Sequence, residues 1–332
     1  MTFPLSRDPK TILERSIGIA LLIVLLAGPV LFSDFWVNSI LTQALIFGIA
    51  AASLIFLFAY GGMISLAQTA LMGIAGYILG NLVTVRGAGG ESKGLGLGWD
   101  PTVALVAAIV LTTVIGLIFG AVAARSIGIY FLMLTLTYAV IAFYFFGQVT
   151  ALGGFSPIAG IHQYTPGFVG DILGHPDKLY YIAFGTSLFV YVVVRYVVRT
   201  PFGISLQGIR DDPLRMGSLG YNVPLHRTLA FGFAAFVAAL AGVLYAWWEG
   251  QVAPGNVGLG ATIELLVMCV IGGLGRIEGA WLGAFAFIVI VSPNGLMGLW
   301  DKLTSTLLGG RGGPPRAVVD VETQQPAAEV GS

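Results

Sequence analysis

Long apolar stretches with few interruptions by charge recur along the chain, at 16–32, 40–60, 63–85, 102–124, 127–146, 179–198 and 228–248. A helix rising 1.5 Å per residue needs about 20 apolar residues to cross the hydrocarbon core of a bilayer, so each stretch predicts a membrane span. A last apolar region, 262–291, is interrupted by Gly272-Gly-Leu-Gly-Arg-Ile-Glu-Gly279. Neither flank, 262–271 or 280–291, reaches about 30 Å alone. The region is therefore either one broken crossing or a hairpin. The pattern predicts an all-α polytopic membrane protein with about eight transmembrane helices and a Gly-rich broken segment near the C-terminus.

Composition agrees: of 332 residues, 57% are hydrophobic and 10% charged, against about 25% charged in soluble domains. This excludes a water-soluble enzyme, a nucleic-acid binder and a disordered scaffold. Lysine plus arginine equals aspartate plus glutamate at 16 each, so only the placement of charge is informative. Arg7, Lys10 and Arg15 precede the first stretch, and Pro29-Val-Leu-Phe-Ser-Asp34 after it lacks a small-x-small cleavage pattern, which predicts a retained first helix. With that basic end in the cytoplasm, Arg125, Arg195, Arg199, Arg210, Arg215 and Arg227 fall inside, whereas 148–178 carries one lysine and falls outside. A broken last crossing puts Arg311 and Arg316 inside and a hairpin puts them outside. The positive-inside rule favours the broken crossing, and with it eight spans. The expected organisation is a transmembrane domain over 1–304, with a cytoplasmic loop at 199–227, and a disordered cytoplasmic tail over 305–332, where Gly, Pro, Thr and Gln dominate.

Motifs for chemistry are sparse. The chain has no Gly-x-x-x-x-Gly-Lys-Ser/Thr, no His-Glu-x-x-His and no intramembrane-protease signature. One cysteine, Cys269, forms no intrachain disulfide, and His162, His175 and His226 lack the i, i+4 partner of a zinc helix. No catalysis, metal or cofactor is expected in this chain. Polar residues at membrane depth stand out instead: Ser65, Gln68 and Thr69, then Tyr130, Thr135, Thr137 and Tyr138, and the carboxylate of Glu264. A carboxylate in a bilayer is costly unless served by a partner or a water-filled path, so Glu264 either lines a path or lies at the interface. The hydroxyls either face a path or bond helix to helix. Gly116 and Gly120, four apart, read as helix packing. The cluster from Gly272, Gly273 and Gly275 to Gly283 reads as a break in the helix, of the kind tolerated where backbone lines a cavity or is buried in protein. In the loop at 199–227, Asp212 caps a short helix starting at Pro213, and Gly217 and Gly220 end it. Such an element suits docking.

These motifs resemble the permease subunits of branched-chain amino-acid ABC transporters, a family that includes urea and short-amide permeases. The resemblance rests on Pro201-Phe-Gly, Gly208-Ile-Arg-Asp-Asp212 and Leu219-Gly-Tyr221, then Ala238-Ala-Leu-Ala-Gly-Val-Leu-Tyr245, Glu264-Leu-Leu-Val-Met268 and Gly272-Gly-Leu-Gly275. Upstream, Gly62-Met-Ile-Ser-Leu-Ala-Gln68, Gly73-Ile-Ala-Gly-Tyr77, Ile129-Tyr-Phe-Leu-Met-Leu-Thr-Leu-Thr137 and Gly153-Gly154 extend it over roughly 40–298. It implies a multi-pass protein of a bacterial plasma (inner) membrane. The implied partners are a homologous second permease, two cytoplasmic ABC ATPase subunits, a periplasmic or extracytoplasmic substrate-binding protein and membrane lipid, with no nucleic acid. It implies an ATP-driven importer of branched-chain amino acids or a related small polar solute, with hydrolysis left to the ATPases. Arg210, Asp211, Asp212, Pro213, Arg215, Leu219 and Gly220 would form the ATPase-coupling element. Ser65, Gln68, Tyr130, Thr135, Thr137, Glu264, Gly272, Gly273 and Gly275 would line the translocation path. Met63 stands where the family usually has Gln, Pro213 where Glu or Asn is commoner, and a hydrophobic segment usual between Phe287 and Pro293 is missing or fused. The competing reading is an ATP-independent facilitator or secondary transporter, which would need more buried acids than Glu264.

Overall fold

The computed structural model describes residues 36–85, 94–167, 169–170 and 176–291. The stretch at 16–32 and everything beyond Val291, including the expected tail, lie outside them. Chain contacts divide the protein into Met1–Val289 and Ile290–Ser332. All the packing below belongs to the first unit.

A π-helical turn over Trp36–Leu41 leads into α1, Thr42–Gly61. The remaining helices are α2 (Gln68–Val83), α3 (Pro101–Ala123), α4 (Ile129–Gln148), α5 (Pro176–Arg199), α6 (Pro201–Asp211), α7 (Pro213–Ser218), α8 (Val223–Glu249), α9 (Leu259–Gly272) and α10 (Gly279–Val291). Among the described residues five helical stretches are long and apolar enough to cross a membrane: Trp36–Gly61, α3, α4, α5 and α8; α2, α9 and α10 are shorter and apolar. Proline and a polar cap set several starts. Asp100 accepts from Thr102 N before Pro101, and Asn222 accepts from Leu225 N ahead of Pro224.

The core is built on α8, whose buried face is mostly alanine, glycine and aromatic residues packed on α1, α2 and α3. A Cβ at Gly116 would strike Ala235, one at Gly120 would lie 2.8 Å from Phe231 Cβ, and one at Gly242 would strike the Met72 carbonyl. Small residues at these crossings let helices approach in lipid, where apolar burial alone gives little drive for association. Gly116 and Gly120 thus act as packing residues. On the side carrying the lysine-poor loop, β1 (Ile158–Ala159) pairs antiparallel with β2 (Gln251–Val252), Ile158 opposite Val252.

Two expectations change. The stretch at 63–85 is not one helix: α1 ends at Gly62 in left-handed geometry (φ 65°), residues 63–67 are non-helical, and α2 begins at Gln68. The region 262–291 is not one broken crossing either. Gly272 and Gly279 meet backbone to backbone, as do Gly283 and Met268, so α10 folds back antiparallel on α9. Fourteen residues in α9 span about 21 Å, short of a full hydrocarbon core.

Candidate functional site

Irregular backbone at membrane depth needs its polar groups satisfied within the protein, because lipid supplies none. At the end of α1, Gly62 N donates to Phe58 O and Met63 N to Leu57 O, which closes the helix around the left-handed Gly62. The chain then turns back along α1. Leu66 N donates to Thr135 Oγ1 at 3.1 Å, Ala67 N and Gln68 Nε2 each donate to Ser65 Oγ at 3.3 Å, and Ser53 Oγ donates to Gln68 Oε1 at 3.0 Å. Ser53, Ser65, Gln68 and Thr135 are buried. Three of the residues expected on the path, Ser65, Gln68 and Thr135, therefore come together as a closed hydrogen-bonded knot joining α1, α2 and α4. Ser53 completes it and gave no signal in an otherwise apolar run.

The other expected path residues are dispersed. Tyr130 is exposed on α4, and Thr137 Oγ1 bonds back to Met133 O on an exposed face of the same helix. Glu264 is exposed rather than buried, on the second turn of α9. Gly273 (φ 92°) caps α9, Gly272 is packed on Gly279, and Gly275 faces open space. The turn they form is anchored at its end by Glu278, whose Oε1 lies 2.9 Å from Arg195 Nη2 and accepts from Tyr191 OH at 3.0 Å. Beside it Trp281 Nε1 donates to Ser187 Oγ. Glu278 and Arg195 were not singled out in the sequence as a pair, since they lie 83 positions apart.

Glu264 does line a cavity of about 320 Å³ together with Thr69, Met72, Gly73 and Gly76 of α2, Phe47 of α1, Tyr245 of α8 and Asn256 from the connection before α9. Val252 of β2 and Gly255 also border it, so it faces the lysine-poor side. Thr69 is 2% exposed, and its Oγ1 has no hydrogen-bond partner among the described residues. None of Gly272, Gly273 and Gly275 borders this space.

On the arginine-rich side, Pro201 starts α6 directly after α5, with Thr200 as its cap. Asp212 then accepts from Leu214 N and Arg215 N and caps α7, which ends at Ser218 before Gly220 (φ 92°). The capped short helix expected from Asp212, Pro213, Gly217 and Gly220 is present. It presents Leu214, 86% exposed, and Leu219, 66% exposed, while Asp211 and Arg215 point into the same solvent. Arg210 does otherwise. Its Nη1 donates to the Ala59 carbonyl in the last turn of α1, its Nη2 lies 2.8 Å from Asp211 Oδ1, and its stem packs on Gly62, where a Cβ would be 2.6 Å from Arg210 Cγ. Arg210 ties α6 to the start of the irregular segment.

The family described as branched-chain amino acid transport system / permease component matches residues 37–317. The chain belongs to this family. It is a multi-pass permease subunit of the inner membrane. The permease is 28% identical over 132 residues to the high-affinity branched-chain amino acid transport system permease protein LivM of Escherichia coli K12, covering 40% of this chain and 30% of the relative. It is also 36% identical over 93 residues to the autoinducer 2 import system permease protein LsrC of Klebsiella pneumoniae, covering 26% of this chain and 27% of that protein. With LsrC of Yersinia pestis the identity is 30% over 132 residues, 37% of each chain. The permease thus spans about a third of the length of the curated relatives it matches. No solved structure matches it significantly.

Proposed function

We propose that this permease is the membrane subunit of an ATP-driven importer that takes up a branched-chain amino acid or a related small polar solute. One of two cytoplasmic ATPase subunits would seat on α7, a homologous permease would complete the pathway and receive the other, and an extracytoplasmic binding protein would deliver the solute. The observation that carries this reading is α7 itself. A six-residue helix, fixed at its start by the Asp212 cap and Pro213, holds Leu214 and Leu219 in water on the arginine-rich side. Exposed large apolar side chains on a fixed short helix are suited to a groove on a partner. Asp211 and Arg215 flank them, whereas Arg210 is bonded back to the Ala59 carbonyl of α1 and serves the permease's own fold. The amino-acid substrate is supported by the likeness to LivM; the likeness to LsrC supports a different small solute on the same scaffold. Glu264 fits a lining role, and the Ser65, Gln68 and Thr135 knot fits a role in holding the pathway's irregular wall.

The test is purification of the tagged permease from its native membrane in mild detergent, with mass spectrometry of co-purifying chains, for wild type and a Leu214→Asp, Leu219→Asp variant. ATPase chains recovered with the wild type and lost from the variant support the reading. A permease that purifies without ATPases yet transports in liposomes overturns it in favour of an ATP-independent facilitator.

A further inference from the structure

We propose that the cavity between α2, α8 and α9 is a solute-binding site, and that it takes a small solute carrying an ammonium or similarly cationic group beside an apolar body, with no net negative charge. This rests on the importer reading and adds to it a location and a charge rule.

Three observations converge. At about 320 Å³ the space lies at the small end of the range for small-molecule sites, and it holds the volume of roughly ten waters. Its lining combines the apolar bodies of Phe47, Met72 and Val252 with the amide of Asn256 and the hydroxyl of Tyr245. Among the described residues that line it, the one carboxylate is Glu264, with no lysine, arginine or histidine beside it. An anion entering this space would meet like charge without a counter-ion, whereas an ammonium would gain a charge-assisted hydrogen bond. The third observation is Thr69. A hydroxyl buried to 2% exposure ordinarily has a partner; Oγ1 of Thr69 has none among the described residues, and Thr69 is one of the residues that line the cavity. A bound solute supplies the missing partner. Glu264 also becomes intelligible: an exposed carboxylate on an apolar helix belongs on a water-filled path and not against acyl chains.

Binding is measured on the full chain in nanodiscs by calorimetry with four probes: L-leucine, the cation L-leucinamide, the anion 4-methylpentanoate and neutral D-ribose. The expected order is leucinamide and leucine bound, 4-methylpentanoate excluded. Glu264→Gln should weaken leucinamide by about tenfold or more, the size of a hydrogen bond to a charged group, and Gly260→Leu, at a lining position where a Cβ meets open space, should occlude all probes. Thr69→Val should weaken leucine by about fivefold without lowering the melting temperature, since it removes a hydroxyl that has no partner among the described residues of the free chain. Binding of 4-methylpentanoate equal to that of leucine, binding of ribose alone, or affinity unchanged in Glu264→Gln overturns the proposal. The absence of binding by every probe, in protein that still co-purifies with ATPases, overturns the site and leaves the importer reading standing. Leucine bound by a chain that recruits no ATPase does the reverse.

Discussion

Between Gly62 and Ala67 the backbone leaves helical geometry with one glycine in six residues; between Gly272 and Gly279 it does so with four in eight. The first break is mostly buried, and its Leu66 and Ala67 N–H groups are met by Thr135 and Ser65, with Gln68 and Ser53 behind them. The second is a turn between two helices, where glycine does two things: Gly273 takes a left-handed φ, and Gly272, Gly279 and Gly283 let the backbones of α9 and α10 touch. One break is held by polar side chains and the other by missing ones. Glycine density therefore marks where helices cross closely, while an unwound segment at membrane depth is marked by polar partners spread over three helices.

The contrast is sharpest at Gly283. A side chain there runs into the backbone oxygen of Met268 and the backbone of Gly272, neither of which is the flexible end of a side chain. Gly283→Leu should prevent closure of the hairpin, at a cost of about 3 kcal/mol or more, seen as loss of folded protein in membranes and of its thermal transition in detergent. Normal yield and melting in that variant would mean that the crossing is looser than its contacts imply.

At the other break the corresponding change is Thr135→Val, which keeps the shape and removes the acceptor of Leu66 N–H. A buried donor left unpaired costs about 1–3 kcal/mol, so stability read by detergent melting should fall by about 2 kcal/mol and Thr135→Ser should restore it. If valine is neutral, the segment is held by packing and the comparison fails on that side.

The legibility of the two breaks follows from the same physics. Five long spans were readable because about 20 consecutive apolar residues have few other uses, and the α7 cap was readable because Asp212 and Pro213 act locally. The break at 63–67 was not, because Met63, Ile64, Leu66 and Ala67 are as apolar as a helix would be, and the partner that permits the break, Thr135, lies 69 positions from Leu66. The fold-back at 272–279 was open to two readings. Arg311 and Arg316 favoured a single crossing, whereas the deciding contacts are backbone atoms of glycines, which carry no pattern of hydrophobicity. The cavity shares that difficulty: Thr69 was noticed as polar, but its neighbours Phe47, Tyr245 and Asn256 come from separate elements.

Arg210 links the polar break to the solvent-facing helices. Removing its head in Arg210→Met keeps the packing on Gly62 and deletes the bond to the Ala59 carbonyl. The side chain is 39% exposed, so solvent screening holds the expected loss to about 1 kcal/mol. Solute uptake driven by ATP should fall by more than this stability change accounts for, if the tie transmits movement of α6 and α7 to the segment after Gly62. Uptake falling only in step with the amount of folded protein would reduce Arg210 to a local brace.

The smallest effect belongs to the ion pair at the glycine turn. Arg195 and Glu278 are 46% and 42% exposed in their side chains, and pairs of that exposure contribute about 0.5 kcal/mol. A double-mutant cycle with Arg195→Met and Glu278→Gln, read by melting in detergent, should give a coupling of that size. The Tyr191 hydroxyl, which donates to Glu278 and accepts from Arg195 Nε, spreads the interaction over three groups and lets each single change be partly compensated. A coupling above about 2 kcal/mol, characteristic of contacting residues in one network, would mean that charge shares with glycine the work of closing the turn, and the division between a polar break and a glycine break would no longer hold.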